Sequence, residues 1–206
     1  VITAFFFRLF YPEPKLIMLE DFGRSDVWHF SFPTKYFLGQ QLKEGRIPLW
    51  NSFLGQGFPV LAEGQTGVFY LPNLLLFFLF DAVTAYNLTL LLAYIMLGTG
   101  VYVWFRTLVL SRISSLFSSL TMVFSGLPLA QASHITLLQG FSLLPWIMAA
   151  LTGFLKAPKI FQCLVLSFLL SQQIFAGFPQ AVFITICFAG LYTLWFLKTS
   201  EALHFK

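Results

Sequence analysis

Long apolar runs separated by short basic or polar turns fill the second half of the chain. Most of these runs approach the length needed to cross a hydrocarbon core of about 30 Å at about 1.5 Å per residue. We therefore predict a transmembrane bundle over residues 82–206 with about five spans, at 82–105, 113–129, 141–155, 160–175 and 181–196. The same pattern predicts two polar connections, at 131–139 and 177–180.

The first 81 residues follow a different pattern. Residues 1–10 are apolar but too short to span a bilayer, so they predict the end of a truncated first transmembrane helix. Residues 11–81 mix charges, prolines and aromatic rings, which indicates a large loop on one side of the membrane. Within this loop, 33–44 is predicted as a short helix that stops at Gly45. The apolar stretch 68–80 is too short to cross, so it predicts an interfacial or re-entrant helix.

Composition supports a membrane protein and excludes two other classes. Of the 206 residues, 58% are hydrophobic and 10% are charged, whereas a soluble domain carries roughly 25% charged residues. A disordered chain is excluded as well, because disorder requires low hydrophobicity. The predicted fold class is an all-α integral membrane protein, a polytopic helix bundle with a large first extracytoplasmic loop that carries short interfacial helices.

The charges are divided between the two parts of the chain. No acid occurs between residues 82 and 200, and the cations in that region lie between the apolar runs: Arg106, Arg112, Lys156, Lys159 and Lys198. The positive-inside rule assigns these cations to the cytoplasmic side, so residues 11–81 face outward. The net charge of +4 therefore marks membrane orientation in the cytoplasmic (inner) membrane and does not indicate nucleic acid as a partner.

Common soluble-enzyme motifs are missing from the sequence. Gly55-Gln56-Gly57 does not continue as a dinucleotide-binding motif, because Val60 stands where the third glycine is required. The two cysteines show no metal-binding spacing. These observations disfavour a soluble enzyme that uses nucleotide sugars.

Several short motifs occur in an order that resembles a known family. They are Ser25-Asp26, GRIPLWN, GQGFP, AEGQTGVFYLPN, a histidine in an outer turn (His134) and GFPQ. Together they resemble the YfhO-type bacterial membrane protein family, which is similar to the C superfamily of membrane glycosyltransferases. The resemblance covers nearly the whole chain, but only about the first third of a full-length member. The chain departs from the family at Phe178, where members often have histidine.

The resemblance implies an enzyme whose site lies at the outer membrane face and uses an essential acid of the first outer loop. Asp26 matches that position best, and Asp21 is the second choice. The implied substrates are a polyprenyl-phosphate-sugar donor within the lipid bilayer and a cell-envelope polymer, lipid or protein as acceptor. Such a transfer requires a carboxylate base and positive charge near the leaving phosphate. A divalent metal ion held by Asp26 or Glu63 could supply that charge.

Other polar residues of the outer face are candidates for binding substrate. They are Glu63 and Gln65 for the sugar, Arg46 and Arg24 for the phosphate together with Lys35, and His134, Gln139 and Gln180 at helix boundaries.

Each candidate also has a purely structural interpretation. Asp26 could cap a helix over 27–32, since aspartate is a favoured N-cap. Glu63 could form an ion pair with Arg46, and the three outer cations could be solvated surface charges. The histidine and glutamines could satisfy helix ends or boundary hydrogen bonds.

Two other functions compete with the enzyme. The chain could be a multi-span transporter or lipid flippase, or a non-catalytic protein of envelope assembly. Coupled transporters usually bury ionisable residues at the middle of the membrane. Here the predicted spans have no acid and their cations lie at predicted ends, which favours chemistry at one surface.

Overall fold

The computed structural model describes residues 13, 15–16 and 25–204. The predicted helix end at 1–10, together with Asp21 and Arg24, lies outside the described residues. The described chain is helical and contains no β-strand, with a single antiparallel bridge between Asn51 and Phe58. This confirms the all-helical part of the predicted fold class.

Residues 25–81, which we call the outer segment after the side of the membrane predicted for them, contain short helices. A π-helix at Val27–Ser31 runs directly into α1, Phe32–Lys43, which is followed by Gly45 at a φ of 70°. The predicted helix over 33–44 is therefore confirmed. Further along, α2 is the single turn Val60–Glu63, and α3 is the nine-residue helix Leu71–Leu79. Because nine residues extend only about 14 Å, α3 is too short to cross a bilayer.

Six helices follow the outer segment in the described chain. They are α4 (Ala82–Thr107), α5 (Arg112–Val123), α6 (Gly126–Ala130), α7 (Ile135–Lys156), α8 (Ile160–Phe175) and α9 (Pro179–His204).

Four stretches of the described chain are long and apolar enough to cross a membrane. They are Ala82–Thr107, Arg112–Ala130, Ile135–Lys156 and Pro179–Thr199. The fifth predicted span is present as α8, but its sixteen residues make it a shorter apolar helix. The structure thus supports four candidate spans, where the sequence pattern predicted about five.

Both predicted polar connections are shorter than expected. Helix α7 begins at Ile135, so half of the connection predicted at 131–139 is helical. Helix α9 begins at Pro179, which leaves only 176–178 as the second turn. The first connection was predicted too long because Gln139, in the second turn of α7, faces a polar partner inside the protein.

Helices α4 and α7 form the most extensive helix–helix contact of the described chain. Of the apolar window in α7, 72% is buried inside the protein, against 11% for α9. Helix α7 is therefore the centre of the bundle, and α9 lies at its periphery. The outer segment packs on the same centre, because Tyr70 and Ala176 share a buried cluster with Leu143 and Ile147.

Basic residues gather at one end of the bundle. The Lys156 ammonium at the end of α7 donates a hydrogen bond to the carbonyl of Thr107, the last residue of α4. Arg106 and Lys156 therefore share one end of the α4–α7 pair. Asp81 and His134 precede the same two helices at the opposite ends.

The first turn of α4 is capped by an aspartate, which gives a pH-dependent prediction. Asp81 Oδ1 accepts hydrogen bonds from the backbone N–H groups of Val83 and Thr84, at 3.1 and 3.0 Å. The Thr84 hydroxyl and these N–H groups lower the pKa of Asp81. A lowered pKa means that the cap stabilises the fold above the unfolded-state pKa of about 3.9 and loses this effect as the pH falls through the folded-state pKa.

We expect Asp81→Ala to lower the free energy of unfolding by about 1 kcal/mol at pH 7, and by less at pH 3. Circular dichroism of the protein unfolding in detergent at both pH values measures this difference. Ser111→Ala is the matched control, because Ser111 Oγ caps α5 with a hydrogen bond from Ser114 N but does not titrate. An Asp81→Ala effect of equal size at both pH values would contradict the prediction.

Candidate functional site

A carboxylate and an imidazole meet at one end of the bundle, where the described chain enters its first helix. Asp26 Oδ2 lies 3.1 Å from His134 Nε2. Asp26 is the residue before the π-helix, and His134 is the residue before α7. The side chains are 61% and 37% exposed, so the pair is open to solvent. The structure therefore brings together Asp26 and His134, which the sequence analysis identified as separate candidates.

The capping interpretation of Asp26 is wrong. Its side chain makes no capping hydrogen bond, and its backbone is already helical, with a φ of −60° and a ψ of −27°. An N-cap residue typically has extended backbone angles and bonds the first helical N–H groups. The carboxylate contacts His134 instead. His134 does lie at a helix boundary, as its alternative interpretation predicted, and its side chain makes no capping bond either.

An open groove of about 350 Å³ lies beside this pair. Its lining combines three polar and two aromatic side chains: Asp26, Glu63, Gln65, Phe30 and Phe58. The two phenylalanine rings meet edge to face, with centroids 6.1 Å apart. The groove thus offers carboxylate and amide groups for hydroxyls and an apolar wall for a ring face.

Glu63 and Gln65 belong to a tight loop, residues 63–67, which we call the site loop. Glu63 Oε2 accepts a hydrogen bond from the backbone N–H of Gln65 at 2.9 Å. Partial burial raises the pKa of Glu63, and the loop hydrogen bonds oppose that increase. The predicted Glu63–Arg46 ion pair is wrong, because Arg46 pairs with Glu44 at 2.9 Å. Arg46 is an exposed residue and does not line the groove.

Lys35 is buried rather than solvated. It has no exposed surface, and its Nζ donates a hydrogen bond to the carbonyl of Thr66 in the site loop at 3.2 Å. Burial lowers the pKa of Lys35 to about 7, with a smaller opposing effect from the charge of Glu63. Its interpretation as a surface charge is therefore wrong. The sequence carried a signal, since Lys35 shares a helical face with Leu38 and Leu42.

Gln139 is also buried and does not line the groove. Its Nε2 donates to Asn73 Oδ1 at 2.7 Å. Asn73 Nδ2 in turn donates to the carbonyls of Gly67 and Thr66, at 3.0 and 3.3 Å. Gln139 is therefore linked to the site loop through Asn73, and its buried side chain is not accessible to a substrate in the groove.

The GFPQ turn packs closely against the site loop. Gly177 has a φ of 85°, and a Cβ atom there would lie 2.2 Å from the carbonyl oxygen of Gly64. Only glycine permits both this backbone conformation and this close approach. Gln180 is exposed in the first turn of α9 and is not part of the groove lining. The turn thus contributes to the site through backbone packing.

No family model, curated protein or solved structure matches this chain. The resemblance to the YfhO-type family stays a prediction that rests on the motifs.

The described residues contain no group of three or more His, Cys, Asp or Glu side chains able to hold a metal ion. Asp26 and Glu63 supply two carboxylates to one groove, and the His134 imidazole contacts the carboxylate of Asp26. These residues alone do not form a complete metal site. A divalent metal ion stays a prediction that a chelation assay can test.

Proposed function

We propose that the chain belongs to a membrane glycosyltransferase that moves a sugar from a polyprenyl-phosphate donor to a cell-envelope acceptor. The observation that carries this proposal is the Asp26–His134 pair, whose carboxylate lines an open groove at one end of a bundle of apolar helices. A lipid-anchored donor brings its reactive phosphate to the membrane surface, which is where such a bundle ends. The motif resemblance adds support for the same chemistry.

The proposed reaction assigns a role to each member of the pair. The acceptor oxygen forms a bond to the anomeric carbon of the sugar, and the bond from that carbon to the phosphate oxygen breaks. The phosphate leaves with the electron pair, and Asp26 takes the proton of the acceptor hydroxyl as general base. His134 donates through Nε2–H to Asp26 Oδ2 and holds the carboxylate in place.

Glu63 and Gln65 are proposed to bind sugar hydroxyls, because they line the groove that contains Asp26. The positive charge for the leaving phosphate is proposed to come from Arg24, Arg46 or a divalent metal ion. The exposed Arg46 belongs to the outer segment that also carries the site loop.

We propose that the protein lies in the cytoplasmic membrane with the groove on its outer face. The basic residues Arg106 and Lys156 lie at the opposite end of the α4–α7 pair from Asp81 and His134. Under the positive-inside rule, that basic end is cytoplasmic. Cysteine accessibility from the two sides of sealed vesicles tests this orientation.

A donor panel tests the proposed function. Membranes that carry the protein are incubated with radiolabelled polyprenyl-phosphate sugars, with and without EDTA, and label in envelope polymer, lipid and protein is counted. We expect transfer from at least one donor, and loss of transfer in EDTA if a divalent ion is required. Absence of transfer from every donor, with the protein folded in the membrane, would favour a transporter, a lipid flippase or a non-catalytic envelope protein.

A further inference from the structure

A hairpin of the outer segment exposes large apolar side chains. It comprises residues 46–58, between α1 and α2, and we call it the apolar hairpin. Four of its side chains are more than half exposed: Ile47, Leu49, Trp50 and Phe53. Phe53 has 87% of its surface exposed. A group of exposed apolar side chains marks a contact surface, whereas scattered single ones are ordinary.

Backbone pairing fixes the shape of the apolar hairpin. The N–H of Asn51 donates to the Phe58 carbonyl at 2.8 Å, and the N–H of Phe58 donates to the Asn51 carbonyl at 2.9 Å. Asn51 Oδ1 also accepts a hydrogen bond from the backbone N–H of Phe53 at 2.9 Å. The Trp50 indole packs over Gly57, where an added Cβ would lie 2.3 Å from the ring. The exposure of Trp50 and Phe53 is therefore a property of an ordered turn.

The base of the apolar hairpin lies beside the start of a candidate span. Lys43, the last residue of α1, donates through Nζ to the carbonyl of Phe80 at 2.8 Å. Phe80 is followed directly by Asp81, which caps α4. Helix α4 is long and apolar enough to cross a membrane, and the lipid surface of a bilayer that it crosses lies near its first turn. The hairpin therefore begins close to that surface.

The composition of the apolar hairpin favours lipid over carbohydrate as its partner. No charged residue occurs between Arg46 and Glu63 in the sequence. The exposed side chains of Ile47 and Leu49 are aliphatic and have no ring face on which a sugar could stack. The side-chain oxygen of Asn51 is already bonded within the hairpin. Hydrocarbon needs no hydrogen bonds from the protein, so this surface suits it.

Charged and aromatic groups of this region are arranged as in a loop at a membrane surface. Lys43, Glu44 and Arg46 are exposed at the base of the hairpin and together carry a net positive charge. Trp50 and Phe53 follow toward the turn. Lysine and arginine keep their charged ends at headgroup level, and tryptophan is enriched at the interface between membrane and water. Phospholipid phosphates therefore complement the base, and hydrocarbon complements the tip.

We propose that the apolar hairpin inserts Trp50 and Phe53 into the surface of the bilayer that the helices cross, and thereby anchors the outer segment to phospholipid. Phe58 links this anchor to the groove, because it pairs with Asn51 and also lines the groove. The anchor thus sets the height of the groove relative to the lipid surface. Insertion depends on the apolar bundle alone, whereas the use of the groove for a lipid-linked sugar rests on the proposed function.

Lipid quenching of a fluorophore in the hairpin tests this proposal in the whole protein. Cys163 and Cys187 are replaced by serine, and Ser52→Cys, between Trp50 and Phe53, is labelled with the fluorophore NBD. The protein is reconstituted in vesicles of phosphatidylcholine and phosphatidylglycerol. Part of the phosphatidylcholine carries a nitroxide near the headgroup end of one acyl chain, and iodide in the buffer is the second quencher.

We expect the nitroxide lipid to lower the fluorescence at Ser52→Cys by about twofold or more, because an inserted segment lies about 5–10 Å into the boundary between headgroups and acyl chains. Iodide should quench this label weakly. The matched reference is Gln65→Cys, at an exposed position of the open groove. There we expect the reverse, with strong quenching by iodide and weak quenching by the lipid.

Glutamine variants identify the side chains that insert, each with the label at Ser52→Cys. We expect Phe53→Gln to weaken the nitroxide quenching and the double variant Trp50→Gln/Phe53→Gln to remove it. Tyr36→Gln, at an exposed aromatic residue of α1, is the control and should leave the quenching unchanged. If the double variant fails to fold, as judged by circular dichroism, Phe53→Gln decides the result, because its side chain is almost fully exposed.

Strong iodide quenching of the hairpin label without nitroxide quenching would overturn the proposal, as would nitroxide quenching that both glutamine variants leave unchanged. Protection from iodide that requires added envelope polysaccharide would assign the hairpin to carbohydrate binding and overturn it. Protection that disappears as the protein is diluted in lipid would assign the hairpin to a second copy, with the same consequence. Failure of the donor panel with insertion intact would reject the proposed function alone. Sugar transfer by a protein whose hairpin label stays in water would reject the anchor alone.

Discussion

Replacement of Asp26 by asparagine is expected to lower the rate of sugar transfer by about 100-fold or more, while the protein remains folded in the membrane. General base catalysis contributes about 10²–10⁴-fold, and an amide cannot accept the proton. The substitution should be tolerated by the fold because the side chain is 61% exposed and caps no helix. The effect therefore falls on chemistry rather than on stability.

Initial transfer rates in membranes, normalised to the amount of folded protein, measure this effect. Glu13→Gln is the matched control, since it makes the same carboxylate-to-amide change at an exposed acid that does not line the groove. We expect this control to retain normal transfer. An Asp26→Asn protein that transfers sugar at the normal rate would exclude Asp26 as the base.

A second large effect is expected at Gly177. An alanine there must adopt a φ near 85°, and its Cβ would lie 2.2 Å from the Gly64 carbonyl oxygen. Backbone strain of this kind costs about 1–3 kcal/mol, and separation of the two turns adds to it. We expect Gly177→Ala to lower the free energy of unfolding by about 2–4 kcal/mol in total.

Thermal unfolding in detergent measures this loss as a lower Tm. Gly126→Ala is the control, because no atom lies within 4 Å of the added Cβ and the backbone is not left-handed. We expect the control to unfold near the parental temperature. Equal Tm values for the two variants would show that the turn at Gly177 is free to move away from the site loop.

The helical fold was predictable because apolar run length is encoded locally. Predictions based on the polarity of single residues were less accurate. Gln139 suggested a loop, yet it lies inside α7 and bonds Asn73. Its partner comes from a distant part of the chain, so no local pattern could show that the amide is satisfied. The same reason explains why the first connection was predicted too long.

The sequence identified several residues of the candidate site, but it did not predict which of them lie next to each other. Asp26 and His134 were both candidates, but only the packing of the outer segment against α7 brings them within 3.1 Å. Lys35 was interpreted as a surface charge because lysine is rarely buried, although the sequence placed it on the apolar face of α1. Tertiary packing, rather than residue type, decided both outcomes.

The π-helix before α1 sets the helical phase of Asp26. In this turn the N–H of Phe32 bonds the carbonyl of Val27, five residues back, so the segment holds one residue more than an α-helical turn would need. Removal of that residue would rotate the preceding residues, including Asp26, by about 100° around the helix axis relative to α1. The buried face of α1, with Phe37 and Leu38, would stay in place. The carboxylate would then point away from His134, so one surplus residue sets the direction of Asp26 independently of the core that supports it.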